Sequence, residues 1–168
     1  MGGAPTVVPG ANGRWRHLAD LVADFRVARA RVLINAEYGT EKLAAGALAM
    51  NDPEKNVSWY AGNLTFGYAF SDLFAFALRG GYLGDPDGYF APIWGAPVGQ
   101  GASIMDGTLT LSVTPTPNLI IKLEPRVDAV ASDQSGWEGG FPQAPDAAAP
   151  GVSKTLFTTT LGVVATTN

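Results

Sequence analysis

The sequence predicts an all-β fold: an antiparallel sheet that crosses a lipid bilayer as an incomplete transmembrane β-barrel of about seven strands. Three observations carry this expectation. Apolar and polar residues alternate with a period of two through most of the predicted strands, the apolar faces hold no formal charge, and the connections alternate between short and long.

Composition sets the frame. Charged residues make up 15 % of the 168 residues and apolar residues 46 %, whereas soluble globular chains carry about 25 % charge. A wall with one face in lipid accounts for that deficit. No apolar run reaches the roughly 18 residues that a membrane-spanning helix needs, so any crossing must be made by strands. With no cysteine, disulfides and thiolate-bound metals are excluded. The net charge of -4 and the scattered basic residues argue against nucleic acid as a partner. Residues Met1 to Gly10 have neither the basic start nor the apolar run of a signal peptide, so an export signal is expected outside this stretch. Residues 1–13 read as a loop remnant, and 14–168 as the C-terminal portion of a single β-barrel domain.

The strands follow in order. The first is Ala19 to Val27; Leu18, Leu21, Val22 and Phe25 also fall at helical spacing, so helix is the rival reading there. The second is Val32 to Thr40. The third, Tyr60 to Phe70, and the fourth, Leu73 to Leu83, are joined through Ser71-Asp72 in the manner of a hairpin. The fifth, Thr108 to Thr114, meets the sixth, Leu119 to Val130, across Pro115 to Asn118, and a seventh runs from Thr155 to Ala165. In the sixth, Leu119, Ile121, Leu123 and Val127 alternate with Lys122, Glu124, Arg126 and Asp128, while Pro125 falls on the apolar side and suggests a local bulge or distortion. The connections Glu41 to Trp59, Gly84 to Gly107 and Ala131 to Lys154 are long and the others short. That is the asymmetry of outer-membrane barrels, with long loops outside and short periplasmic turns. It puts the C-terminus on the periplasmic side.

Applied to every strand, the same parity gathers Asp20, Asp24, Arg26, Glu37, Arg79, Lys122, Glu124, Arg126 and Asp128 on the polar face. These are the candidate pore-lining residues. They either set a field across a hydrated lumen with a weak ion preference or pair into a ladder that stabilises the wall or plugs a narrow barrel, and the near-balance of acidic and basic groups argues against strong ion selectivity. Trp59, Tyr60, Phe70, Phe74 and Tyr82 lie near strand ends and are candidates for interfacial aromatic girdles.

The segment Arg79-Gly80-Gly81-Tyr82-Leu83-Gly84-Asp85-Pro86-Asp87-Gly88, followed by Thr108-Leu109-Thr110-Leu111 and by Asn118 to Asp128, resembles the outer-membrane β-barrel porin-2 (OmpL-like) family. The resemblance runs from about Trp15 to Ala165 and covers only the C-terminal part of such a porin. It implies a place in the bacterial cell outer membrane, with the lipid bilayer as solvent for the apolar face. It also implies passive diffusion of ions or small hydrophilic solutes. Open sheet edges are not tolerated in lipid, so upstream strands or other chains are expected to close the barrel.

Catalysis and cofactors are not expected. His17 is the lone histidine and has no nucleophile at an informative spacing, and no phosphate loop or dinucleotide fingerprint is present. Asp85, Asp87 and Asp106 could hold a divalent cation at the outer surface, but Asp85-Pro86-Asp87-Gly88 is adequately explained as a turn, and no metal site is assigned. Two other functions compete with a channel: a structural or surface-interaction barrel whose long loops bind a partner, and a soluble β-sandwich binding module.

Overall fold

The computed structural model describes residues 15–45, 54–90, 99–131, 141–142 and 152–166. The loop remnant expected over 1–13 lies outside them. Seven strands form one sheet: β1 (Arg16–Val27), β2 (Ala30–Leu43), β3 (Lys55–Ala69), β4 (Phe74–Asp85), β5 (Ala102–Thr116), β6 (Leu119–Ala131) and β9 (Thr155–Ala165). Their order is β1-β2-β3-β4-β5-β6-β9, and each is antiparallel to its neighbours. A separate two-residue ladder, β7 (Phe141–Pro142) with β8 (Val152–Ser153), sits in the connection before β9.

Residue for residue, the chain obeys the period of two. Cross-strand partners share a face, so the register carries a face assignment from one strand to the next. Ten large apolar side chains of one face, Leu21, Phe25, Leu64, Phe66, Leu78, Leu109, Leu111, Leu123, Leu161 and Val163, are exposed. No second sheet or helix covers them among the described residues. A β-sandwich would bury this face at a second layer; here the extensive strand contacts are all between sheet neighbours.

Helix is excluded for Leu18 to Val27, because every residue of β1 pairs with β2. The return is made at Ala28-Arg29, where Ala28 adopts the left-handed conformation with φ 50°. The strands are also longer than their alternating cores. β2 and β3 run 14 and 15 residues, whereas about 9–11 cross the hydrocarbon layer. The extra pairs, such as Lys42↔Asn56, lie at the end bearing the long connections. There the backbone ladder continues after the apolar pattern has stopped.

One local expectation needs correction and a second is narrowed. The β3–β4 connection spans residues 70–73 rather than Ser71-Asp72 alone, because the Ser71 hydroxyl accepts the N–H groups of Leu73 and Phe74 and holds an extra turn residue on each side. At Pro125 the expected irregularity is a distortion of the ladder without a bulge: the register is the same at Thr108↔Arg126 and Leu111↔Leu123, and the register shift lies between Val113 and Thr116. What Pro125 does instead is interrupt pairing to β5 opposite Leu109 and Thr110, since it has no N–H to donate.

Seven antiparallel strands leave β1 and β9 as edges that point the same way along the wall, and among the described residues neither edge has a further strand.

Candidate functional site

The polar face is built row by row across the sheet. Register places Asp20 opposite Glu37, Val22 opposite Asn35, Asp24 opposite Leu33 and Arg26 opposite Arg31. Further round, Asp106 pairs with Asp128, and Thr65, Arg79, Thr108, Arg126 and Thr158 form one continuous row over β3, β4, β5, β6 and β9. Lys122 pairs with Ser112 and Gly162, and Glu124 with Thr160. All nine residues expected on the polar face therefore share one face of the sheet.

They separate into two clusters and a few single contacts. On β1 and β2, Asp24 accepts hydrogen bonds from Arg26, at 3.1 and 2.8 Å, and from Arg31, at 2.9 and 3.2 Å. On β4 to β6, Arg79 donates through Nη2 to Asp106 at 2.8 Å. Arg126 forks onto Asp128, with its nearest contact at 2.5 Å, and lies 3.9 Å from Asp106. Asp106 leans over Gly81, where a Cβ would collide with its carboxylate; the glycine leaves room for the bridge to Arg79. Asp20 accepts from Asn35 at 2.8 Å, Glu37 from the Trp59 indole at 3.2 Å, and Glu124 from the Thr110 hydroxyl at 2.8 Å.

Six charged strand residues of this face, Arg16, Arg31, Glu41, Lys55, Asp85 and Asp106, were not among the pore-lining candidates. Arg31 and Asp106 sit one and two residues before the predicted starts of their strands, and extending the same period backwards would have found both. Asp106 belongs to the Arg79–Arg126 bridge and not to an outer cation site. The other two carboxylates of that cation reading are also engaged. Asp85, 1 % exposed, accepts the N–H groups of Tyr89 and Phe90 at 2.9 and 2.6 Å. Asp87 takes the Ser58 N–H at 2.9 Å and the Lys55 ammonium at 2.8 Å. No metal-holding group of acidic or histidine side chains exists among the described residues.

Trp59 corrects the girdle expectation. It falls on the polar face, 5 % exposed, with its ring stacked on Tyr89 at 5.2 Å and edge-on to Phe90 at 5.6 Å. Gly39, directly across from it, leaves the space the indole fills. The Tyr89 hydroxyl accepts from Arg16 at 2.7 Å and donates to Glu41 at 3.0 Å. The start of the β4–β5 connection thus folds inward over the polar face at the end bearing the long connections. Burial and then the Glu41 carboxylate push the Tyr89 phenol above its ordinary pKa, against the opposing charge of Arg16. At Asp87 burial acts upward, but the Lys55 and Ser58 hydrogen bonds and the Lys55 charge outweigh it and hold the carboxyl below its usual range. On the opposite face, Tyr60 and Tyr82 pair at 5.9 Å towards that same end, and Phe70 and Phe76 at 5.4 Å towards the other. These pairs stand near the two ends of the sheet on its apolar face.

The face can therefore present fixed charges of both signs to water, while its reverse carries no charged side chain over the middle of the strands. The family model described as "Putative beta-barrel porin-2, OmpL-like" matches residues 1–164. Among curated proteins and solved structures, none matches the chain.

Proposed function

Because the chain belongs to this β-barrel porin family, we propose that it forms part of the wall of a non-catalytic channel in the bacterial outer membrane. Ions or small hydrophilic solutes diffuse through that channel passively. The observation that supports the reading most is the gathering of Asp20, Asp24, Arg26, Glu37, Arg79, Lys122, Glu124, Arg126 and Asp128 on one face of a sheet whose other face exposes its large apolar residues. A single sheet with charges on one side and uncompensated apolar surface on the other is at home where water meets one side and lipid the other.

The cluster on β1–β2 sets one carboxylate against two guanidinium groups and that on β4–β6 sets two against two, so fixed charges of both signs line the lumen. Their near-neutral sum leaves little preference between small cations and anions. The inward-folded Tyr89 and Phe90 narrow the outer mouth. Closure needs further strands, because unpaired edges are costly in lipid. As β1 and β9 run in the same direction, an odd number of added strands keeps every seam antiparallel and makes the total even.

The test is conductance. The full-length protein, folded into planar bilayers, gives stepwise ohmic current in simple salts, with a reversal potential near zero in a salt gradient. Correctly folded protein that leaves the bilayer sealed would contradict the proposal and favour the surface-interaction barrel.

A further inference from the structure

A cavity of about 320 Å³ opens on the polar face of β3 to β9, at the lower end of the roughly 300–1,000 Å³ usual for small-molecule sites. Thr65, Arg79, Thr108, Glu124, Arg126 and Thr160 contribute to its lining. Two of them carry a buried polar atom without a hydrogen-bond partner: Arg79 Nε and Thr108 Oγ1. The two residues are direct cross-strand neighbours. Buried donors and hydroxyls in folded proteins are nearly always satisfied, and a paired lapse at one cavity marks where an oxygen from outside the protein is taken up.

Charge then restricts what brings that oxygen. The Arg79 and Arg126 guanidinium groups are compensated by Asp106 and Asp128, so an inorganic anion gains no uncompensated positive charge. It would also meet Glu124 at the same cavity. One Glu124 oxygen accepts from Thr110; the other accepts nothing among the described residues and can take a donor. The cavity therefore offers an N–H and a hydroxyl on one side, a carboxylate on the other, and threonine hydroxyls between.

We propose that this cavity is a solute subsite on the channel wall for small net-neutral molecules that carry an oxygen acceptor together with an N–H or O–H donor, the pattern shared by an amino-acid zwitterion and a small polyol. The acceptor oxygen meets Arg79 and Thr108, and the donor meets Glu124. The proposal rests on the polar face being wet, as the channel reading requires, and it adds a binding step to what would otherwise be plain diffusion.

The test is saturation-transfer NMR on the detergent-folded full-length protein with serine, glycerol and phosphate as separate probes. Folding of each variant is checked by its heat-modifiable gel mobility. Saturable binding of serine or of glycerol supports the subsite, and a larger loss for serine than for glycerol in Glu124→Gln identifies the ammonium as the preferred donor. Thr108→Val, which keeps shape and removes the hydroxyl, weakens binding about tenfold, the worth of one lost hydrogen bond. Ser112→Ala, on the same face but outside the cavity, leaves it unchanged. Tighter binding of phosphate than of either neutral probe, no saturable binding of serine or glycerol, or equal binding by Thr108→Val overturns the proposal. Binding is read without reference to current: saturable serine binding with no conductance keeps the subsite and ends the channel reading, and conductance without saturable binding does the reverse.

Discussion

At the end of the sheet bearing the long connections, a few side chains decide how the β4–β5 connection is held. Asp87 is tied to Lys55 and to the Ser58 N–H, and its carboxyl sits below its ordinary value. A depressed carboxyl contributes stability that is fully present above the unfolded pKa, about 3.9, and is lost as pH falls through the folded value. The tether should hold at every pH above the unfolded value and release only as pH falls through the lower folded value. Hydrogen exchange at the Ser58 amide, corrected for its intrinsic pH dependence, should rise over that acid range in the native chain and be high and flat in Asp87→Asn. Exchange that is flat in the native chain would contradict the tether. Close by, Gly39 makes room for Trp59. Gly39→Val drives a branched side chain into the indole and should cost about 1–3 kcal/mol, the usual penalty of overpacking. Equilibrium urea titration of the protein folded in vesicles measures it, with an unchanged midpoint as the opposing result.

Strand identity was legible in the sequence wherever alternation was strict, as in Leu119 to Asp128, and the face of each charged residue followed from it. The ends were not legible. At Lys42 and Lys55 the apolar pattern has stopped while the backbone pairing goes on, because ladder hydrogen bonds do not depend on side-chain polarity. Trp59 was misread for a related reason: its position near a strand end is visible in the sequence, but its partner Tyr89 lies 30 residues away in a connection whose path no local pattern encodes. Pro125 shows the limit from the other side. Its missing N–H was legible, and its consequence is a gap in pairing at fixed register rather than a bulge. Pro125→Val restores a donor towards β5 and should stabilise the folded state by about 0.5–1.5 kcal/mol. It should also give a slowly exchanging amide at position 125 itself. Lower stability in Pro125→Val would mean that the strand is bent at that point and needs the proline.

On the scale of the whole wall, the fold is one layer thick and its stability depends on what lies on each side. Two solvents are required, one for the charged face and one for the apolar face. The depth of the apolar band can be probed at Leu78, which pairs with Leu109 mid-sheet on the apolar face. Leu78→Arg should cost about 2–4 kcal/mol of folding free energy in vesicles, as charges do on a lipid face near the midplane. Thr110→Arg, on the polar face, should cost far less; equal losses would mean that the two faces meet the same medium. The mouth cluster, the charge clusters and the aromatic pairs on the reverse face all presuppose this division into a wet and a lipid side.

The absence of cysteine in the native sequence allows that division to be read directly. Single cysteines placed one at a time along β6, from Ile121 to Asp128, in the full-length protein reconstituted in vesicles, can be challenged with a membrane-impermeant hydrophilic maleimide. The expected result is labelling with a period of two: rapid at positions 122, 124, 126 and 128, and slow or absent at 121, 123, 125 and 127. Uniform labelling of both parities, or labelling confined to the apolar set, would contradict the assignment of one face to water and the other to lipid.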